Sequence, residues 1–255
     1  NPHSIDKKTI DANALGELIN RGVLSAYHHG HDEIKLVCGG DSKIENFREL
    51  VSELLGFEII EEGNNFCTIK DISGSSDKEF DNLYRRSFLL IKNMTEESLE
   101  FLKANKISEL EPLIQRDKEV NKFTNTCLRH LNKRGYKEFT KTQMIFSVVQ
   151  RLEEIGDDYK EMLNTIKAEG VDVNNVILRI YGQVGDLFAK CYELSFKPKL
   201  DNAKEIAQIY NSNKFELGEA LSKVQDPKQI KVLFYLNSLN NKIVKIQGAQ
   251  LGFLE

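Results

Sequence analysis

From Phe80 onward, apolar residues recur every three or four positions along almost all of the remaining chain. Leu83, Phe88, Leu90, Ile91, Met94, Leu99 and Leu102 form one broad stripe, which predicts a helix over 80–103. A second pattern runs from Leu110 to about Lys133 and ends at Gly135. A third starts at Thr140 or Thr142, either of which can cap it, and stops near Ala168 ahead of Gly170. The period then restarts. It predicts a helix over 173–196 stopped by Pro198, and one over 200–224 with a break near Asn211-Ser212-Asn213. A last helix is opened by Asp226 as N-cap and Pro227 at its first position. Six helices in two sets of three, over about 80–168 and 172–255, with short joins, predict antiparallel neighbours in a bundle. A helix of ~28 residues spans ~40 Å, so the bundle is expected to be long.

The chain before this reads differently. Leu15, Leu18, Ile19 and Val23 predict a helix over 12–27, closed by Gly30. Glu33 to Cys38 alternates like a strand and halts at Gly39-Gly40. Ser42 with Glu45 has the spacing of a capping box, and the helix that it opens shows Ile44, Phe47, Val51, Leu54 and Leu55 on one face before Gly56 breaks it. Residues 57–62 and 65–72 are strand-like and are joined at Gly63-Asn64, a hairpin signal. Ile10 and its neighbours offer another strand. These elements predict a small sheet with two helices against one face. Ser73-Gly74-Ser75-Ser76 reads as the linker. The expected organisation is a small α/β domain over 1–76 and a mostly α, six-helix domain of two three-helix repeats over 77–255.

Composition narrows the function classes. The 255 residues are 40% hydrophobic and 29% charged, with a mean hydropathy of −0.41 and no apolar run long enough to span a bilayer. No secretory leader opens the chain, so a cytoplasmic location is expected. The net charge of −4 argues against a large nucleic-acid surface in this segment, because counterion release needs clustered Lys and Arg. Cys38, Cys67, Cys127 and Cys191 lie far apart and form no CxxC pair, so they read as buried, reduced thiols.

The chemistry-bearing stretch is Leu152-Glu153-Glu154-Ile155-Gly156-Asp157 in the third long helix. Glu153 and Asp157 stand four apart, which puts both carboxylates on one helix face, roughly 6 Å apart at Cβ. Glu154 and Asp158 repeat the spacing one residue on. Like charges so placed cost stability unless a cation lies between them. That cation could be a hard or borderline metal ion, or Lys160 or Arg151, in which case the face is an ordinary solvated acidic one.

This stretch resembles the signature of the PhoU (phosphate uptake regulator) family, whose three-helix repeats carry Leu-Glu-Arg-Ile-Gly-Asp on the third helix and Asp-x-x-Val-Asp on the helix before it. Arg116-Asp117-Lys118-Glu119-Val120-Asn121 matches the latter at Asp117 and Val120. Leu236-Asn237-Ser238-Leu239-Asn240-Asn241 lies where the second repeat has Leu-Glu-Arg-Ile-Ala-Asp. Ahead of the bundle, Ala26-Tyr27-His28-His29-Gly30-His31-Asp32-Glu33-Ile34 and Leu55-Gly56-Phe57-Glu58-Ile59 resemble the segment preceding the bundle in archaeal-type members, and Arg85-Arg86 open the first long helix. The resemblance covers nearly the whole chain.

The resemblance implies a PhoU-like six-helix bundle and a non-enzymatic regulator of phosphate uptake or phosphate-responsive signalling. It would work through contacts with phosphate-transporter or signalling components and form a homodimer. It also implies a divalent metal or iron site, carried over to Asp117, Glu153 and Asp157. The chain departs from the pattern at Asn121, Asn237 and Asn241, where amides replace carboxylates and weaken a multinuclear cluster. Archaeal-type members carry an N-terminal DNA-binding module of the AbrB/SpoVT type, for which the residues before Ile10 leave no room. DNA binding is therefore expected only through a module missing from this chain, as the C-terminal part of a transcriptional regulator. The alternative is a carboxylate-bound metal enzyme or metal sensor of the helical-bundle type. That reading lacks the Glu-x-x-His pairs such sites use, since Asp157 follows Glu154 by three.

Three further groups carry chemistry-bearing residues. His28, His29 and His31 beside Asp32 form either a transition-metal group or a polar helix end. Gly39-Gly40-Asp41-Ser42 precedes a helix but lacks the lysine and spacing of a phosphate-binding loop. His130 stands several turns from Asp117 along the same segment and is not expected to share its site.

Overall fold

The computed structural model of the chain describes residues 5–39, 47–73 and 76–253. Two compact units emerge: the chain up to Tyr84 together with Asn121–Thr142, and Arg85–Val120 together with Gln143–Glu255.

The first unit is built on a four-stranded sheet. In chain order it contains β1 (Lys7–Asp11), α1 (Ala12–Leu15), α2 (Ile19–His29), β2 (Glu33–Val37), α3 (Phe47–Ser52), β3 (Phe57–Gly63) and β4 (Phe66–Asp71). The strand order is β1-β2-β4-β3. β1 runs parallel to β2, which requires the intervening crossover through α1 and α2. β2 and β3 both pair antiparallel with β4, and the β3–β4 hairpin turns at Asn64-Asn65, one residue later than expected, with Gly63 closing β3 opposite Phe66. Val23 and Tyr27 of α2, Phe47 and Val51 of α3, Ile34 and Leu36 of β2 and Ile69 of β4 belong to one buried cluster. The helix expected over 12–27 is interrupted: a 3-10 turn at Gly16–Leu18 separates α1 from α2. Gly16 takes φ +52, a value that an L side chain resists, and the chain redirects there. Gly30 ends α2 at φ +95, as expected. The expected capping box at Ser42 and the middle of the Ser73–Ser76 linker lie outside the described residues.

The rest of the chain is helical: α4 (Asp77–Lys103), α5 (Glu111–Gln115), α6 (Asp117–Arg134), α7 (Thr142–Glu169), α8 (Asn175–Phe196), α9 (Leu200–Lys223) and α10 (Pro227–Gln250). Six of these are long, and the architecture is the expected one, mostly α with a small α/β part ahead of a helical bundle. The second long helix begins later than its apolar pattern. The stretch from Ile107 to Gln115 forms a 3-10 turn and the short α5, with Pro112 in its first turn, before α6 starts at Asp117. Asn174 is the N-cap of α8, accepting from the amides of Val176 at 3.0 Å and Ile177 at 3.1 Å. Asp226 caps α10.

In the second unit α8, α9 and α10 pack against one another. Leu187, Phe188, Leu236, Leu239 and Ile243 are fully buried among them. Gly185 of α8 admits α4: a Cβ there would stand 3.0 Å from Thr95 Cγ2. The expected break at 211–213 is absent, and α9 runs through it without interruption.

Candidate functional site

The Leu152–Asp157 stretch lies in the middle of α7, where a 3.6-residue period sorts its side chains into two sets. Leu152, Ile155 and Tyr159 are fully buried. The acidic residues border that stripe and are half-buried, the Asp157 side chain being 42% exposed. Gly156 sits between the two sets. A Cβ on it would stand 3.1 Å from Val120 Cγ1 and 3.3 Å from Asp117 Oδ1, so the glycine lets the first turn of α6 lie against α7. Asp117, in that turn, is buried at 3% exposure.

Of the three residues expected to hold a metal, two are brought together around a lysine. Lys160 Nζ donates to Asp157 Oδ1 at 2.6 Å and to Asp117 Oδ2 at 2.9 Å. Burial works against the Lys160 charge, but the hydrogen bonds to Asp157 and Asp117 outweigh it and hold the ammonium well above the usual lysine range. Glu153, one turn before Asp157, feels the same cluster with the opposite result. Burial, then the charges of Asp157, Glu154 and Asp117, push its carboxyl up to about 7, against the lowering influence of Lys160. The neighbouring carboxylates have their own partners. Glu154 accepts from Arg151 at 2.5 Å, and Asp158 accepts from Lys242 and Ser238 of α10, each at 2.7 Å.

Asp117 and Asp157 direct oxygens at a common point, as bridging ligands would, but the ammonium of Lys160 takes that point. Among the described residues, no group of three or more His, Cys, Asp and Glu side chains is placed to hold a metal. The residues as arranged do not fit the ion that the resemblance implies.

In the second half of the chain the aligned positions form a neutral arrangement. Tyr210 donates to Asn241 Oδ1 at 3.0 Å, and Asn241 Nδ2 donates to the Asn237 carbonyl at 2.8 Å. Asn240, fully buried, accepts from Asn213 at 3.0 Å.

The histidines do not converge. His28 meets Asn125 at 2.9 Å, and burial lowers its pKa while the Asn125 hydrogen bond opposes that shift. The rings of His29 and His31 stack at 6.2 Å, and His31 reaches Asp6 at 3.0 Å. His130 pairs with Asp77 at 3.3 Å and lies against Phe80. Gly40, Asp41 and Ser42 lie outside the described residues. All four cysteines are buried and free.

Sequence reasoning missed the polar centre of the first unit. Arg129, 5% exposed, donates to the Tyr27 carbonyl at 2.9 Å and to Asp71 Oδ2 at 3.0 Å, and its guanidinium lies over the rings of Tyr27 and Phe57. The Tyr27 hydroxyl reaches the Leu55 carbonyl and Thr126, and Lys133 pairs with Asp32. Residues 123–131 are all buried, so this part of α6 has no polar face for the period to reveal. The signal available was an arginine inside a run too short of apolar residues to be a surface helix.

The cleft of about 710 Å³ between the start of α8, the end of α9 and the start of α10 is lined by Val176, Ile177, Phe215 and Leu233, with Arg179 and Glu216 at its polar side. Phe215 is 71% exposed. No helix among the described residues is long and apolar enough to cross a membrane. No protein-family model, no curated protein and no solved structure matches the chain.

Proposed function

We propose that this chain is a cytoplasmic, non-enzymatic regulator of the phosphate-uptake type, acting through contacts with phosphate-transporter or signalling proteins, as a homodimer. The observation that carries the reading is the contact between its two motif halves. Asp117 and Val120 on α6, and Gly156 on α7, were singled out separately in the sequence, and they touch in the fold. A stretch that serves only as a solvated acidic face has no need of a glycine at its centre or of a buried aspartate opposite. The exposed Phe215 and Val176 beside the α8–α10 cleft supply apolar surface suited to a protein partner.

Cross-linking capture with the full chain, from cells grown with ample and with scarce phosphate, tests the reading. Phosphate-transport or phosphate-signalling components should be captured by the wild type and lost with Phe215→Glu. Capture of no such component under either condition would count against it.

A further inference from the structure

We infer that Lys160 is the resident cation of the acidic site on α7: its ammonium replaces a divalent ion between Asp117 and Asp157, and the site accepts such an ion only when that ammonium is removed. This does not rest on the regulatory reading.

Lys160 follows Asp157 by three residues, so both side chains lie on one face of α7, and Gly156 lets Asp117 approach the same point from α6. The ammonium is 2.6 and 2.9 Å from one oxygen of each aspartate. A divalent ion bridging those oxygens would need them at roughly 2.0–2.6 Å, which is the volume the nitrogen holds. An ion must therefore expel the ammonium and break two charge-assisted hydrogen bonds, one to a carboxylate whose side chain is only 5% exposed. The lysine is also tethered, so it competes at an effective concentration that a free ion reaches only at about millimolar levels.

The surroundings follow the same pattern. Glu154 and Asp158 are matched by Arg151 and Lys242, cations of the same chain. The aligned segment of α10 has dispensed with charge altogether, through Tyr210, Asn237 and Asn241. At Asp117, Glu154, Asp157 and Asp158 the counter-charge is thus a basic side chain of the same chain.

Mn²⁺ and Zn²⁺ titrations of the full chain, with metal content after dialysis and melting temperature with and without chelator, test this. The wild type should retain no stoichiometric metal, bind both ions more weakly than about 1 mM, and melt at the same temperature with chelator. Lys160→Ala should bind one of them at least ~10-fold more tightly and melt higher in its presence, and adding Asp157→Asn should abolish both gains. Lys160→Arg should behave as wild type. Lys160→Gln, nearer in length, serves if the alanine variant does not fold. Stoichiometric binding by the wild type that Asp157→Asn removes would overturn the inference. So would folded Lys160→Ala and Lys160→Gln variants that bind no better than wild type.

Discussion

Gly156 and Val120 are in contact across α7 and α6: a Cβ on the glycine would stand 3.1 Å from Val120 Cγ1. This contact and the neighbouring Asp117 decide the sign of a mutation that helix propensity alone would favour. In a helix interior, Gly→Ala gains up to about 1 kcal/mol. At Gly156 that gain meets overpacking, which costs about 1–3 kcal/mol in a tight core. Gly156→Ala should therefore lower stability by up to roughly 2 kcal/mol, whereas Gly218→Ala, where nothing lies within 4 Å of the added methyl, should raise it by about 0.5–1 kcal/mol. Urea unfolding of the two variants checks the opposition. A Gly156→Ala protein as stable as Gly218→Ala would show that the helices separate at no cost.

Arg129 should be the most sensitive polar residue of the first unit. Its guanidinium serves a carbonyl, a carboxylate and two aromatic rings at once. Arg129→Met removes the cation from beside a mostly buried Asp71, and breaking such a pair costs about 3–5 kcal/mol. Arg129→Lys keeps the charge but loses the planar fork and most of the stacking, so it should still cost about 1–3 kcal/mol. Urea unfolding followed by tyrosine fluorescence measures both. A lysine variant equal to wild type would mean that charge alone matters there.

Glu153 sets a pH dependence with a definite sign. Its carboxyl is raised from 4.5 to about 7 in the folded chain. Between those values the folded state binds more protons than the unfolded state, so stability falls as pH rises. Its stabilising contribution is full below about 4.5, the unfolded value, and is lost as pH rises through about 7. Glu153→Gln should flatten the stability profile across this window and exceed the wild type at pH of about 8 by about 1–2 kcal/mol, allowing for solvent screening. Parallel profiles for the two proteins would rule out Glu153 as the titrating group.

Much of this was legible in the sequence, for reasons that differ by element. The long helices announced themselves because a 3.6-residue apolar period over twenty or more residues has few competing interpretations. Asp226-Pro227 and Gly30 were equally plain, since each residue type meets a specific backbone demand, and the hairpin was placed to within one residue, its turn falling at Asn64-Asn65. The boundaries failed where local and tertiary demands diverged. Gly16 splits a continuous apolar pattern, and Pro112 opens α5 so that α6 begins only at Asp117. At the acidic stretch the spacing left two counter-ions open, a metal or a neighbouring basic residue. Deciding between them required knowing that Lys160 and Asp117, on different helices, face each other. Arg129 was hidden for a related reason: its partners are a backbone carbonyl and a strand-end carboxylate distant in the chain, and no spacing rule points to either.

Asn211-Ser212-Asn213 reads locally as a helix break, yet α9 continues through it. The fold supplies the reason. Asn213, 1% exposed, donates to Asn240 Oδ1 at 3.0 Å and to the Gln183 carbonyl at 3.3 Å, while Asn240 Nδ2 lies 3.4 Å from the Tyr210 carbonyl. The asparagine that would end an isolated helix is thus an interior polar contact joining α8, α9 and α10. Removing one member of a buried amide pair costs about 1–3 kcal/mol, because the remaining group keeps its desolvation penalty without its hydrogen bond. Removing both with apolar residues of similar shape withdraws the penalty as well. Asn213→Leu and Asn240→Leu should each destabilise the chain by about 1–3 kcal/mol, and the double variant should lose less than their sum by about 0.5–3 kcal/mol. Urea unfolding of all four proteins gives the coupling directly. Strict additivity would mean that the two amides are held by their other neighbours, and that the continuity of α9 owes nothing to the pair.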